Sequence, residues 1–435
     1  VTPILEWSRH LPTGWQVVPL RAIASYIVSN VDKVPVDGEQ PVRLCNYSDV
    51  YNNEFITQQL DYMPCTATKE EICKFHLEVG DVIITKDSES WDDIGIPALV
   101  TDTADGLVCG YHLALLRPHP ERVMGRFLLR CLQAKVLRLQ LELAANGVTR
   151  FGLPKADIGA MRIPVPPLDV QREIVSVLDR EVSGINALVA AKQRVLDLLA
   201  EKRKAIIASA VTRGIDPGIK MRDSNVPWLG EIPAHWELRR MKYLFRLVAE
   251  RAPEDNDYEL LSLYTDIGVK PRRELVARGN KATTTDEYWI VECGDLIVNK
   301  LLAWMGAFGV SEYNGVTSPA YDILRPQIGV ESFFYHHLFR CGVAATEVRA
   351  RSYGIMDMRL RLYFDRLGDM PVPFPPLDEQ RSIVDHITRE TAKLDSVRAA
   401  TERTIALLKE RRAALIAEAV SGKMDLFLNA QNDAR

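Results

Sequence analysis

Ten residues of this chain are written almost identically twice. Pro166-Pro167-Leu168-Asp169-Val170-Gln171-Arg172-Glu173-Ile174-Val175 returns as Pro375-Pro376-Leu377-Asp378-Glu379-Gln380-Arg381-Ser382-Ile383-Val384, a separation of 375 − 166 = 209 residues. Other fragments repeat in the same order. Trp7 and Trp228, like Trp15 and Trp236, lie 221 apart; residues 44–50 match 261–267 at 217; residues 80–86 match 294–300 at 214; residues 116–118 match 324–326 at 208. An offset that drifts by small indels while the order holds marks a duplication. The boundary falls near residue 216, giving halves of 216 and 435 − 216 = 219 residues. A chain of this length is too long for one ordinary core, so two alike frames are expected.

Each half opens with strand signals. Val82-Ile83-Ile84-Thr85 and Leu296-Ile297-Val298-Asn299 are short apolar runs entered through a Gly-Asp turn. Each ends on a lysine, Lys86 or Lys300, leading into a loop that carries a tryptophan, Trp91 or Trp304.

Each half closes with a long helix. From Leu168 to Val211 there is no proline and one glycine, Gly184. Pro166 and Pro167 set the entry, Asp169 lies in the first turn where the dipole favours an acid, and Gly214 ends the run. Ile174, Leu178, Ile185, Leu188, Val195, Leu199 and Ile206 read as one apolar seam. The second copy offers Ile383, Ile387, Leu394, Val397, Leu408 and Leu415, with Thr401 and Thr404 weakening its middle and Gly422 ending it. Forty-four helical residues span roughly 66 Å, and one stripe that long needs a partner. The economical partner is the other copy, paired antiparallel about an approximate two-fold axis. The alternative is that each helix packs on its own domain. The ends, residues 205–211 and 413–420, are apolar nearly all round, which suits a docked partner subunit. The charge runs at 201–204 and 409–412 read as solvated faces.

Catalytic signatures are missing across several classes. The only Pro-Pro pairs precede the helices, so no methyltransferase motif that grips a flipped base is present. No phosphate-binding Gly-Lys-Ser/Thr loop and no Gly-x-Ser-x-Gly occurs. Cys73-Lys74-Phe75-His76 stands alone without a second zinc pair, and Cys73 is expected to be a buried small residue. His336-His337 lies in an apolar helical segment and reads as structural. Seven unpaired cysteines, no apolar run of 18 and no signal-peptide pattern at Val1 to Trp7 fit a reduced, cytoplasmic protein. The net charge, 54 − 58 = −4, argues against a stand-alone non-specific DNA binder but allows local basic faces.

The repeated segments, residues 163–172 and 372–381, together with Trp228-Leu229-Gly230-Glu231-Ile232-Pro233-Ala234-His235-Trp236, resemble the specificity (S) subunits of type I restriction–modification enzymes. The likeness covers nearly the whole chain, except that Glu6-Trp7-Ser8-Arg9-His10 departs from the second Trp segment. It implies an α+β fold: two β-rich target-recognition domains separated by two long helices paired as an antiparallel coiled coil with pseudo-two-fold symmetry. The expected limits are 1–165 and 217–374 for the recognition domains, 166–216 and 375–435 for the helices and tail. It implies a non-catalytic subunit whose domains each read one half of a bipartite double-stranded DNA target. The helices would set the spacer and dock two methyltransferase subunits, with motor-nuclease subunits joining for cleavage. S-adenosylmethionine, ATP and Mg then belong to those partners, and no cofactor or metal to this chain. An atypical methyltransferase or nuclease with built-in recognition domains, and a coiled-coil scaffold without DNA specificity, are the competing readings.

DNA contact is expected from donor-rich loops that differ between the copies. In the first half these hold Asn146, Thr149, Arg150 and Lys155, with Lys86, Ser88 and Ser90 as second candidates. In the second they hold Arg349, Arg351, Ser352, Tyr353, Arg359 and Arg361, with Lys270, Arg272, Arg273 and Lys300 behind them. Arginine can bond guanine bidentately, asparagine adenine, and lysine the phosphates.

Overall fold

The computed structural model describes residues 7–9, 11–265, 267–274, 285–354 and 360–424. The chain divides into two compact units, residues 1–193 with 403–435, and residues 194–402. Each unit therefore holds one β-rich region and a segment of each long helix.

In the first unit a five-stranded sheet runs in the order Ala24–Val28, Leu113–Pro118, Val82–Thr85, Pro97–Val100, Phe55–Ile56. Its central strands are apolar on both faces because both faces are covered. Val82, Ile84 and Leu116 point into a core with the helix Gly125–Gln133 and with Ile174, Leu178, Ile416 and Val420 of the long helices. Ile83, Ala98 and Leu115 point the other way, against Val42, Leu44 and Phe75. The alternation follows from the period of two along a strand.

The second unit repeats the frame with four strands, Phe245–Val248, Tyr321–Pro326, Leu296–Asn299, Phe308–Val310. One face packs Leu296, Val298 and Leu324 against Phe334, Leu338, Val211, Ile383 and Ile387. The other packs Ile297 and Ile323 against Leu261, Leu263 and Val269.

The repeated sequence fragments turn out to be joints. Asp81, at the Gly-Asp turn, forms a two-point ion pair with Arg117 of the Leu-Arg-Pro fragment, at 2.9 Å on both arms. Asp295 and Arg325 do the same at 3.0 Å on both arms. Both aspartates are 1% exposed and also accept a backbone N–H, from Glu78 and Glu292. Gly80 and Gly294 precede them at φ 99° and 95°, a conformation that favours glycine. The strands that lead into the helices, Arg162–Val165 and Pro371–Phe374, pair with Gln16–Pro19 and Glu237–Arg240.

The long helices are Leu168–Arg213 and Leu377–Val420. Both end on a left-handed glycine, Gly214 at φ 77° and Gly422 at φ 70°. Within the first unit the Arg412 guanidinium donates to Asn186 Oδ1 at 2.9 Å. Within the second, Arg203 donates to both oxygens of Asp395 at 2.7 and 2.8 Å. These two arginines belong to the runs expected to be solvated, and both are only half-exposed.

The apolar seam differs from the expected one at three places. Ile174, Leu178, Ile185, Ile383 and Ile387 are buried, and Leu199, Ile206, Leu394, Leu408 and Leu415 are half-buried. Leu188, Val195 and Val397 are instead exposed, at 53%, 38% and 49%. The covered positions step through Val182, Ile185, Val189, Lys192, Leu196, Leu199, Arg203 and Ile206, a strict alternation of threes and fours. Lys192 and Arg203 lie on it because their aliphatic stems can cover apolar surface while the charge reaches out. On the second helix Thr391 and Thr401 are buried, and each hydroxyl donates back along its own helix, to Thr388 O and Val397 O. Leu188 and Val195 belong to a second stripe, Gly184, Leu188, Ala191, Val195 and Leu198, all exposed.

Candidate nucleic-acid interface

The first unit brings its two candidate loops together. Asn146–Gly147, Phe151–Gly152 and Asp87–Ser88 form a three-stranded sheet, so the turn carrying Thr149 and Arg150 lies beside the lysine loop. Lys86 is the hinge: its N–H bonds His112 O at 2.8 Å, and its carbonyl accepts from Leu153 N at 2.9 Å. Asn146, Thr149 and Arg150 are exposed, and neighbouring Val148 is 92% exposed. Ser90 is half-buried and bonds Asp92, while Ser88 is buried. Lys155 opens the helix Lys155–Ala160 with its ammonium 5.7 Å from the Tyr26 ring centre.

Side chains missed by the sequence reading complete this cluster. Lys86 Nζ bonds both oxygens of Asp87 at 2.9 and 3.1 Å, and His112 Nδ1 lies 2.6 Å from the same carboxylate. Burial alone would raise the Asp87 pKa; the hydrogen bonds from Lys86 and His112 outweigh it and hold the carboxyl below its ordinary value. Arg150 Nη2 lies 3.1 Å from His112 Nε2. The Tyr111 ring lies 3.9 Å from that of His112. Tyr47, Tyr111 and His112 border a depression of about 540 Å³ with Asp32, Lys33 and Asn46. No spacing rule links residues 47, 87, 112 and 150; only the sheet register does.

In the second unit the same mount carries a different surface. Lys300 O accepts from Leu362 N at 2.9 Å, the counterpart of the Lys86–Leu153 bond. Tyr353 and Arg361 form an antiparallel bridge there. Lys300 Nζ bonds Pro319 O at 2.9 Å and lies 3.4 Å from Asp322, whose carboxyl burial pushes up despite that lysine. Arg349 lies over the Trp304 ring at 5.4 Å, Arg351 bonds Glu347 at 2.6 Å, and Ser352 bonds Val348 O. The Tyr353 hydroxyl accepts from Arg366. Lys270 is tied to Tyr313, and Arg273 pairs with Glu259 at 3.0 Å; Arg272 begins a short turn after the strand Gly268–Pro271. Lys270, on the strand Gly268–Pro271, and Arg272 and Arg273, in the turn that follows it, thus belong to a different element from the Lys300 mount. Arg359 lies outside the described residues.

Two other expectations can be placed. Cys73 is exposed rather than buried, because the helix Lys69–Phe75 turns Phe75 inward instead. His336 and His337 lie in the helix Ser332–Arg340, and His336 Nδ1 accepts from Val310 N. Among the described residues no cluster of metal-ligating side chains occurs, and no helix is long and apolar enough to cross a membrane.

The repeated mounts with divergent loops define a class: residues 36–197 match the family described as Type I restriction modification DNA specificity domain. The chain is 25% identical to a putative type I restriction enzyme MjaX specificity subunit of Methanocaldococcus jannaschii, over 57% of each chain. It is 23% identical to the type I restriction enzyme EcoKI specificity subunit of Escherichia coli, over 46% of this chain and 43% of that one. The matches thus span about half the length of these relatives. The HsdS subunit from Thermoanaerobacter tengcongensis shares the fold at a TM-score of 0.52 and 18% identity, over 97% of this chain and all of that one. A chain from a study of complex assembly and conformational transition of the type I R-M system shares it at 0.64 and 19%, over 95% of this chain and all of that one. The chain resembles type I restriction–modification specificity subunits in sequence and has their α+β fold.

Proposed function

We propose that this chain is the non-catalytic DNA-specificity subunit of a type I restriction–modification complex, acting in the cytoplasm. Two target-recognition domains, near residues 1–165 and 217–374, each read one half of a bipartite target in double-stranded DNA. The observation that carries this reading is the pairing of like mounts with unlike loops. Leu153 on Lys86 and Leu362 on Lys300 hold the loops in the same way, yet the side chains around them differ. Like mounts suit a common task, and unlike loops suit two unequal half-sites.

The two long helices act as an antiparallel coiled coil that sets the spacer between half-sites. The exposed stripe of Leu188, Val195 and Leu198 on the first helix, and the separately exposed Val397 and Leu407 on the second, support docking of two methyltransferase subunits. Motor-nuclease subunits join for cleavage, and S-adenosylmethionine, ATP and Mg are bound by those partners.

Methylome sequencing of a host with and without the gene tests this reading. The expected result is loss of one adenine-methylated motif, split by a fixed run of unspecified bases. An unchanged methylome, or S-adenosylmethionine binding by the isolated chain, favours an enzyme with its own recognition domains instead.

A further inference from the structure

The two mounts part company at two positions. Strand pairing sets Leu113 opposite Thr85 in the first unit and Tyr321 opposite Asn299 in the second. The residue before each partner is His112 in one and Ala320 in the other; the residue after each lysine is Asp87 in one and Leu301 in the other. The first unit thus has a carboxylate and an imidazole where the second has two aliphatic side chains.

The chemistry of the chain Asp87–His112–Arg150 has one consistent assignment. Arg150 Nη2 lies 3.1 Å from His112 Nε2 and 3.4 Å from Nδ1, near-equal distances that put the guanidinium over the imidazole face and not on the Nε2 lone pair. The Asp87 carboxylate only accepts, so His112 Nδ1 carries a proton and donates it at 2.6 Å. Lys86 holds Asp87 from the other side, and the Tyr111 ring lies 3.9 Å from the imidazole. His112 has φ 71°, a left-handed conformation costly for a non-glycine residue, of the kind that persists where function needs it. An exposed arginine loses much freedom on binding; stacking it beforehand on the His112 ring reduces that loss and leaves its N–H donors available.

We propose that Asp87, His112 and Arg150 form a base-reading relay peculiar to the first unit, in which His112 is the positioning residue that presents Arg150 to a guanine in one half-site. This rests on the reading of the chain as a DNA-specificity subunit. Arginine with two free donors matches the O6 and N7 acceptors of guanine in the major groove. The second unit, with Ala320 and Leu301, reads its half-site without such a relay.

The test uses the full chain assembled with its methyltransferase subunits, methylating a plasmid library randomised one target base at a time. H112N tolerates the left-handed backbone and keeps a donor for Asp87 but has no ring for Arg150 to stack on. H112N should lower discrimination at one position of one half-site roughly tenfold to a hundredfold, the worth of a bidentate contact. R150A should relax the same position, and the other half-site should be unaffected. Unchanged discrimination in H112N, an equal loss on all sequences, or relaxation at a different position from R150A overturns the relay. If the wild-type complex shows no bipartite preference, the specificity-subunit reading itself falls, and the relay with it.

Discussion

Gln171 and Gln380, 380 − 171 = 209 residues apart, are both fully buried and make the same three hydrogen bonds. Gln171 Oε1 accepts from Met124 N at 2.9 Å, and its Nε2 donates to Arg122 O and Pro166 O at 3.0 and 2.9 Å. Gln380 Oε1 accepts from Glu331 N at 2.9 Å, and its Nε2 donates to Gly329 O and Pro375 O at 3.2 and 2.8 Å. The repeated motif is a bolt between each helix start and its β-rich region. Q171L strands a buried N–H and two carbonyls, and each unmet group costs about 1–3 kcal/mol. The expected loss is about 3–5 kcal/mol, read by urea unfolding, with Q380L giving a similar loss. Near-neutral values for both variants would show the bolts to be incidental.

The buried ion pairs should behave as joints too. D81A leaves the part-exposed Arg117 with Glu78 at 2.8 Å as its remaining acid and strands the Glu78 N–H, and is expected to cost about 1–3 kcal/mol. D81L/R117L removes both charges and should cost less than D81A alone. A double variant no better than the single would mean that the hydrogen bond to Glu78, not the charge pair, dominates.

Acid should weaken the second unit. Burial first, then the charges of Arg203 and Arg340, push the His337 imidazole down to about 4. His336 is lowered as well, by burial and then by His337 and Arg340. In the unfolded chain a histidine titrates near 6.5. Above that pH neither state binds the proton, and the stability is intact. As pH falls from 6.5 toward 4 the unfolded chain takes up a proton the folded one refuses, so stability is lost. His337 alone should remove roughly 2 kcal/mol between pH 7 and 5. Urea unfolding of H337L should show a shallower pH slope; the same slope as wild type would count against this assignment.

Leu198 is 62% exposed on the second stripe of the first long helix. L198R should leave unfolding free energy within about 0.5 kcal/mol, as exposed substitutions usually do. It should, however, weaken capture of a methyltransferase subunit in size-exclusion or pull-down assays. Normal capture by L198R together with L188R would remove this stripe from the docking surface.

The duplication, the strands at Val82–Thr85 and Leu296–Asn299 and the long helices were legible because each writes itself locally, in a turn, a β-branched run or a proline entry. The seam was only partly legible. Two apolar stripes run along the first helix, and stepping from Ile185 to Leu188 crosses from one to the other, whereas the covered path goes to Val189. Lysine, arginine and threonine at covered positions hide that path from any count of apolar residues. Lys86 and Arg150 were found as single candidates, but Asp87, His112 and Tyr47 were not. Their link is a strand register across more than a hundred residues, which composition and spacing do not carry.

The glutamine bolts have one more property. Every partner of Gln171 and Gln380 is a main-chain group: the N–H of Met124 or Glu331, and the carbonyls of Arg122 and Pro166 or Gly329 and Pro375. The attachment therefore does not read the side chains of Arg122, Met124 or Glu331, while Gly329, at φ 87°, is held to glycine by its backbone. Mutations that leave this backbone and the apolar contacts with Ile174 and Ile383 in place can accumulate in those β-rich regions without loosening this hold. Inheritance can rewrite what each region touches while the fastening stays constant.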